Sequence, residues 1–76
     1  MNDAETRQEL LEAIRALVEA APAMRVGQLL AAAGEICSDL HSRGLWDAED
    51  RELLEAVWKF QKDMESNLPV EVRPEA

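Results

Sequence analysis

The chain has 76 residues, 47% hydrophobic and 32% charged, enough for one domain near the lower size limit for folding unaided. Its 16 acidic and 8 basic side chains leave a net charge of −8, and the arginines and lysines are scattered among acids rather than gathered in a stripe. Phosphate backbones and anionic membrane surfaces need clustered Lys and Arg, so neither nucleic acid nor membrane is an expected partner.

Three amphipathic segments account for most of the chain. The first is predicted to be helical over residues 3–21, where Leu10, Leu11, Ile14, Leu17, Val18 and Ala21 recur at the i, i+3/i+4 spacing of one helix face. Asn2 and Glu5 have the spacing of a capping box. Pro22 interrupts the pattern, because the residue before a proline is pushed out of the α region. A second helix is expected over 23–43, with Val26, Leu29, Leu30, Ala33, Cys37 and Leu40 as its buried stripe and Gly44 as its left-handed closing residue. The third is expected over 47–66, opened by Asp47 as N-cap, with Leu53, Val57, Phe60 and Met64 on its core line. Along that helix Asp47, Arg51, Glu55, Lys59 and Asp63 recur every fourth residue with alternating sign, the pattern of a solvated ridge of ion pairs.

The fold class that follows is all-α: a three-helix bundle, or an open three-helix arrangement completed by dimerisation. A single domain is assigned to residues 1–67 and an extended or disordered tail to 68–76, where Pro69 and Pro74 argue against a helix. Leu10, Ile14, Leu17, Val26, Leu30, Ala33, Cys37, Leu40, Leu53, Val57 and Phe60 are the expected core.

One cysteine, Cys37, excludes an intramolecular disulfide. The acidic first residues lack the basic and apolar regions of a signal peptide, and no apolar run approaches the roughly 20 residues that span a bilayer. A cytoplasmic protein is the expectation.

Met24-Arg25-Val26-Gly27-Gln28-Leu29, followed by Trp46-Asp47-Ala48-Glu49-Asp50 and Glu52-Leu53-Leu54, carry a further signal. Together they resemble a group of small bacterial proteins with an R-x-G-Q-L element and a later W-D-x-E-D-x-E-L-L element. The similarity covers about Arg25 to Ala56. Members of the group often carry an aromatic residue before the arginine, where this chain has Met24. The resemblance implies a shared fold and nothing about mechanism.

Chemistry is sparse. Cys37 and His41 are four apart, a spacing that can put two ligands on one metal, but no other Cys or His exists to complete a site. A thiol in the middle of an apolar stripe is more simply a small hydrophobe. Ser38, Asp39 and His41 are close in sequence, yet Asp39 points to a different helix face and nothing supplies an oxyanion hole. Glu49, Asp50 and Glu52 are accounted for by the preference of acids for a helix N-terminus. The expectation is therefore no enzyme, no cofactor, no metal site and no small-molecule substrate.

Four residues are candidates for partner binding: Trp58, Leu54, Arg25 and Gln28. Arg25 and Gln28 fall on the polar side of the second helix near its start, where a cation opposes the dipole unless a neighbour such as Glu19 compensates it. Trp58 lies off the core line next to Leu54, where helix 1, the tail or another chain could cover it. Trp46 is expected to act as a hydrophobic staple on the third helix. Gly27, Ala31, Gly34 and Ser38 share one narrow strip of the second helix, where a lack of side-chain bulk would admit a neighbouring helix, either helix 1 or a second copy. The sequence thus favours a protein-interaction module or accessory subunit acting through a helix face, most simply a homodimer. The alternative is an acidic inhibitory or antitoxin-like protein that caps a basic protein surface.

Overall fold

The computed structural model describes the backbone of residues 3–72 and the side chains of residues 3–65. It contains three helices in chain order, α1 (Asp3–Ala20), α2 (Val26–His41) and α3 (Asp50–Val72), with no strand among the described residues. The all-α, three-helix expectation holds. Arg7 in α1 pairs with Asp50 in α3 at 3.6 Å, so these two helices start level and run parallel. His41 at the end of α2 faces Glu55 near the start of α3, so α2 runs back along α3. None of the described helices is long and apolar enough to cross a membrane.

In α1 the residues Thr6, Leu10, Ala13 and Leu17 are buried, a strict three-to-four spacing that aims one stripe inward. Ile14 is only half-buried, and Leu11 stays 55% exposed. The helix stops at Ala20, where Pro22 ends regular pairing and a short turn closes with the Met24 N–H donating to the Ala21 carbonyl at 3.0 Å. That turn delays α2 until Val26, three residues later than expected. Its core residues are Leu29, Ala33, Gly34 and Cys37. Val26 and Leu40, expected in the core, are 49% and 45% exposed. Both share the apolar face of α2 but sit at its two ends.

The end of α2 also departs from expectation. Ser42, not Gly44, takes the left-handed conformation (φ 61°, ψ 29°), and its N–H donates to the Ser38 carbonyl at 2.8 Å. Gly44 instead starts a turn of its own, its carbonyl accepting from the N–H groups of Asp47 (3.1 Å) and Ala48 (2.9 Å). Because that turn occupies Asp47, α3 starts at Asp50 and its cap falls to Glu49, whose N–H donates to the Glu52 carboxylate at 3.0 Å. This is the return half of a capping box. The Asn2 cap expected for α1 lies outside the described residues.

Leu54, Ala56 and Val57 are buried in α3, whereas Leu53, Phe60 and Met64 are half-buried. The expected charged ridge is mostly dispersed: Lys59 and Asp63 pair at 3.4 Å, but Asp47 precedes the helix and Glu55 turns to His41. The helix does not stop near residue 66. It continues through Pro69 to Val72, so residues 68–72 of the expected extended tail are helical, and 73–76 lie outside the described residues. Proline's fixed φ of about −65° is itself a helical value, although its ring removes one hydrogen bond and crowds the carbonyl four residues earlier.

Leu10, Ala13, Leu17, Ala21, Leu29, Ala33, Leu54 and Val57 form one core cluster. The helix α3 packs along both α1 and α2, while α1 and α2 barely touch each other. The bundle is therefore open on one side. Ile14, Val18, Met24, Leu53, Phe60 and Met64 pack on the core without being closed off from solvent.

Candidate functional site

The most distinctive local structure is the connection between α2 and α3, residues 42–49. The left-handed Ser42 reverses the chain, and the Gly44 carbonyl closes the following turn with two hydrogen bonds. Leu45 then lies directly on Gly34: a Cβ added there would stand 3.3 Å from the Leu45 Cβ, so the glycine's missing side chain makes the seat. Arg43 reaches Glu49 at 3.9 Å and Glu52 at 3.8 Å, tying the loop to the start of α3. His41 Nε2, shielded from water, lies 2.9 Å from the Glu55 carboxylate but out of hydrogen-bond alignment.

On this tethered loop Trp46 is 95% exposed. It is not the expected staple. A staple occupies the residue just before the N-cap, and with Glu49 as cap that position belongs to Ala48. Leu40 and Leu45, at the same end of the molecule, are themselves 45% and 46% exposed. Sequence reasoning missed this grouping because it placed the cap at Asp47 and gave Gly44 the left-handed position that Ser42 holds.

The four candidate residues separate. Leu54 is 3% exposed and belongs to the core, so it is corrected from a binding residue to a packing residue. Trp58, one turn further on, is 51% exposed. Gln28 is a cap: its side-chain carbonyl accepts the Arg25 N–H at 2.9 Å. Arg25 is the N-cap residue of α2, with extended backbone and an exposed side chain that makes no ion pair among the described residues. The expected partner Glu19 pairs instead with Arg15, at 3.9 Å. The small-residue strip is likewise divided. Gly34 receives Leu45, but Gly27 has nothing within 4 Å, and Ala31 and Ser38 are exposed.

Cys37 is fully buried. Burial first, then the carboxylates of Glu52 and Glu55, push its thiol above the ordinary value of 9.0. A thiol held protonated is a poor nucleophile and a poor metal ligand. Among the described residues no group of three or more His, Cys, Asp or Glu is arranged to hold a metal ion. A polar, half-open depression of about 400 Å3 separates the starts of α1 and α3, lined by Asp3, Thr6, Arg7, Ala48, Glu49, Asp50 and Arg51. It holds neither cysteine nor histidine.

Comparison with protein-family models, curated proteins and solved structures finds no match to the chain.

Proposed function

We propose that this chain is a small acidic protein-interaction module, an accessory subunit that acts through helix-face recognition and not through catalysis. One observation carries the reading: six large hydrophobic side chains, Leu11, Val26, Leu40, Leu45, Trp46 and Trp58, are each 45–95% exposed. Scattered single apolar residues are ordinary on a protein surface. Two tryptophans among them, on a molecule whose core is open on one side, are the composition of an interface.

The first occupant we propose is a second copy, seated on the face around Trp58. On an ideal helix the charged positions three, four and seven residues from Trp58 are Glu55, Arg51, Lys62 and Glu65, two of each sign. A face with balanced charge can meet its own image across a two-fold axis, where every contact occurs twice. A cytoplasmic setting belongs to the same proposal and suits the free thiol of Cys37.

Sedimentation of the unmodified protein at tens of micromolar tests this. A dimer is expected, and Trp58→Glu is expected to give a folded monomer with unchanged helical circular dichroism. A monomer in the unmodified protein overturns the homodimer, and persistence of the dimer in Trp58→Glu moves the interface elsewhere.

A further inference from the structure

We propose that the loop between α2 and α3 is a second, separate docking surface, on which Trp46 anchors a protein partner whose apolar pocket is ringed by Lys and Arg. The inference rests on the interaction-module reading but not on the dimer.

Two features of the loop argue for display. The first is rigidity. Trp46 is 95% exposed, yet its neighbours are tied down: Asp47 and Ala48 by backbone hydrogen bonds to the Gly44 carbonyl, Leu45 by its seat on Gly34, Arg43 by Glu49 and Glu52. A frayed loop would lose entropy on binding, whereas this one is already ordered, and a preorganised anchor keeps more of its contact energy. Tryptophan gives a large, rigid contact area at the cost of few rotamers, and it dominates interface hot spots. Leu45, its neighbour in the chain, is itself 46% exposed and extends the apolar area.

The second feature is charge. Residues 35–55 hold seven carboxylates against two arginines, five of the chain's eight net negative charges in 21 residues. Arg43 and Arg7 pair with three of those carboxylates, and Glu55 lies against His41. Glu35, Asp39 and Asp47 are left without an ion-pair partner among the described residues, and Asp47 adjoins Trp46 in sequence. A second copy would bring the same excess and be repelled, which distinguishes this surface from the balanced face around Trp58. A cationic rim is attracted, and its Lys or Arg can also lie over the exposed indole face.

The test uses the full chain carrying Trp58→Phe, so that Trp46 is the single fluorophore. The probe is a synthetic amphipathic helix built of Leu and Lys, with its Leu/Glu counterpart as control. Binding of the Leu/Lys helix should shift Trp46 emission to the blue and weaken steeply as salt is raised. Trp46→Ala, followed by anisotropy of a labelled Leu/Lys probe, should bind roughly tenfold or more weakly. Its circular dichroism should be unchanged, since the indole supports nothing in the fold. No binding of the Leu/Lys helix overturns the proposal, as does equal binding of the Leu/Glu helix or undiminished binding to Trp46→Ala. A blue shift on raising protein concentration alone, with sedimentation showing self-association, also overturns it, because the occupant would then be a second copy. Failure of the Trp58 dimer leaves all these readouts intact, so the two proposals fail separately.

Discussion

Gly27 and Gly34 lie in the same helix, and replacing each by alanine isolates what the α2–α3 loop does to one of them. An exposed helical glycine costs up to about 1 kcal/mol relative to alanine. Gly27 has open space where a Cβ would go and no unusual backbone angle. Gly27→Ala should therefore stabilise the protein by about 0.5–1 kcal/mol, a rise of roughly 2–8 °C in Tm for a domain of this size. At Gly34 the same backbone gain meets an obstacle, since the new Cβ would be 3.3 Å from the Leu45 Cβ. That atom is held close to its own main chain, so relief requires the loop to move by a few tenths of an ångström rather than a side chain to rotate. Gly34→Ala should fall short of Gly27→Ala by about 1 kcal/mol or more, and Gly34→Val should be plainly destabilising. Thermal melts followed by circular dichroism at 222 nm, repeated at two protein concentrations, measure both. If Gly34→Ala stabilised as much as Gly27→Ala, Leu45 would not be seated on the helix, and the rigid-loop argument would fall with it.

Leu17 is fully buried in the middle of the core, and Leu17→Ala should cost about 2–5 kcal/mol, enough to unfold much of the population of so small a domain in chemical denaturation. Trp46→Ala should leave the unfolding midpoint within about 0.5 kcal/mol of the unmodified protein, because an exposed side chain contributes little to the folded state. Cys37 should resist thiol-labelling reagents in the folded protein and react once denaturant is added. Its thiol has a folded value raised above 9.0 by burial and two carboxylates, so the folded state binds that proton more tightly than the unfolded state. Stability from this group is thus intact below about pH 9 and declines as pH rises beyond it. Cys37→Ser should flatten that alkaline decline.

The helix interiors were readable because burial there obeys a single period. Leu10, Leu17, Ala33, Cys37 and Val57 are buried where the spacing places them. The ends were not readable, for specific reasons. Val26 and Leu40 satisfy the period but lie at the two ends of α2, where the remaining helices leave them uncovered, and no pattern within one helix encodes where its neighbours stop. Ser42 took the left-handed position that glycine usually holds, which freed Gly44 to form a turn and displaced the α3 cap from Asp47 to Glu49. That two-residue shift changed Trp46 from an expected staple into an exposed side chain. Leu54 and Trp58 were assigned together because they are neighbours on a helix surface, yet the border between core and solvent runs between them.

The open side of the fold links stability to binding. With α1 and α2 barely in contact, α3 supplies the packing for both, and Phe60 and Met64 remain partly in water. Each such side chain withholds part of the roughly 1.5–3 kcal/mol that complete burial would contribute. A partner covering them returns that contribution, and by mass action raises apparent stability by RT ln(1 + [L]/Kd). Binding on the α2–α3 loop would not do so to the same degree, because Trp46 stands clear of the core and its burial alters nothing inside it. The two surfaces therefore carry different thermal signatures. A partner seated over Phe60 and Met64 on the open side raises Tm beyond the energy of the contact residues alone. A basic partner on Trp46 adds only its own salt-sensitive affinity. Trp58→Glu separates self-association from the loop: it should remove the concentration dependence of Tm while leaving binding of the Leu/Lys helix unchanged. Loss of that binding in a folded Trp58→Glu protein would mean that the loop and the face around Trp58 are one surface.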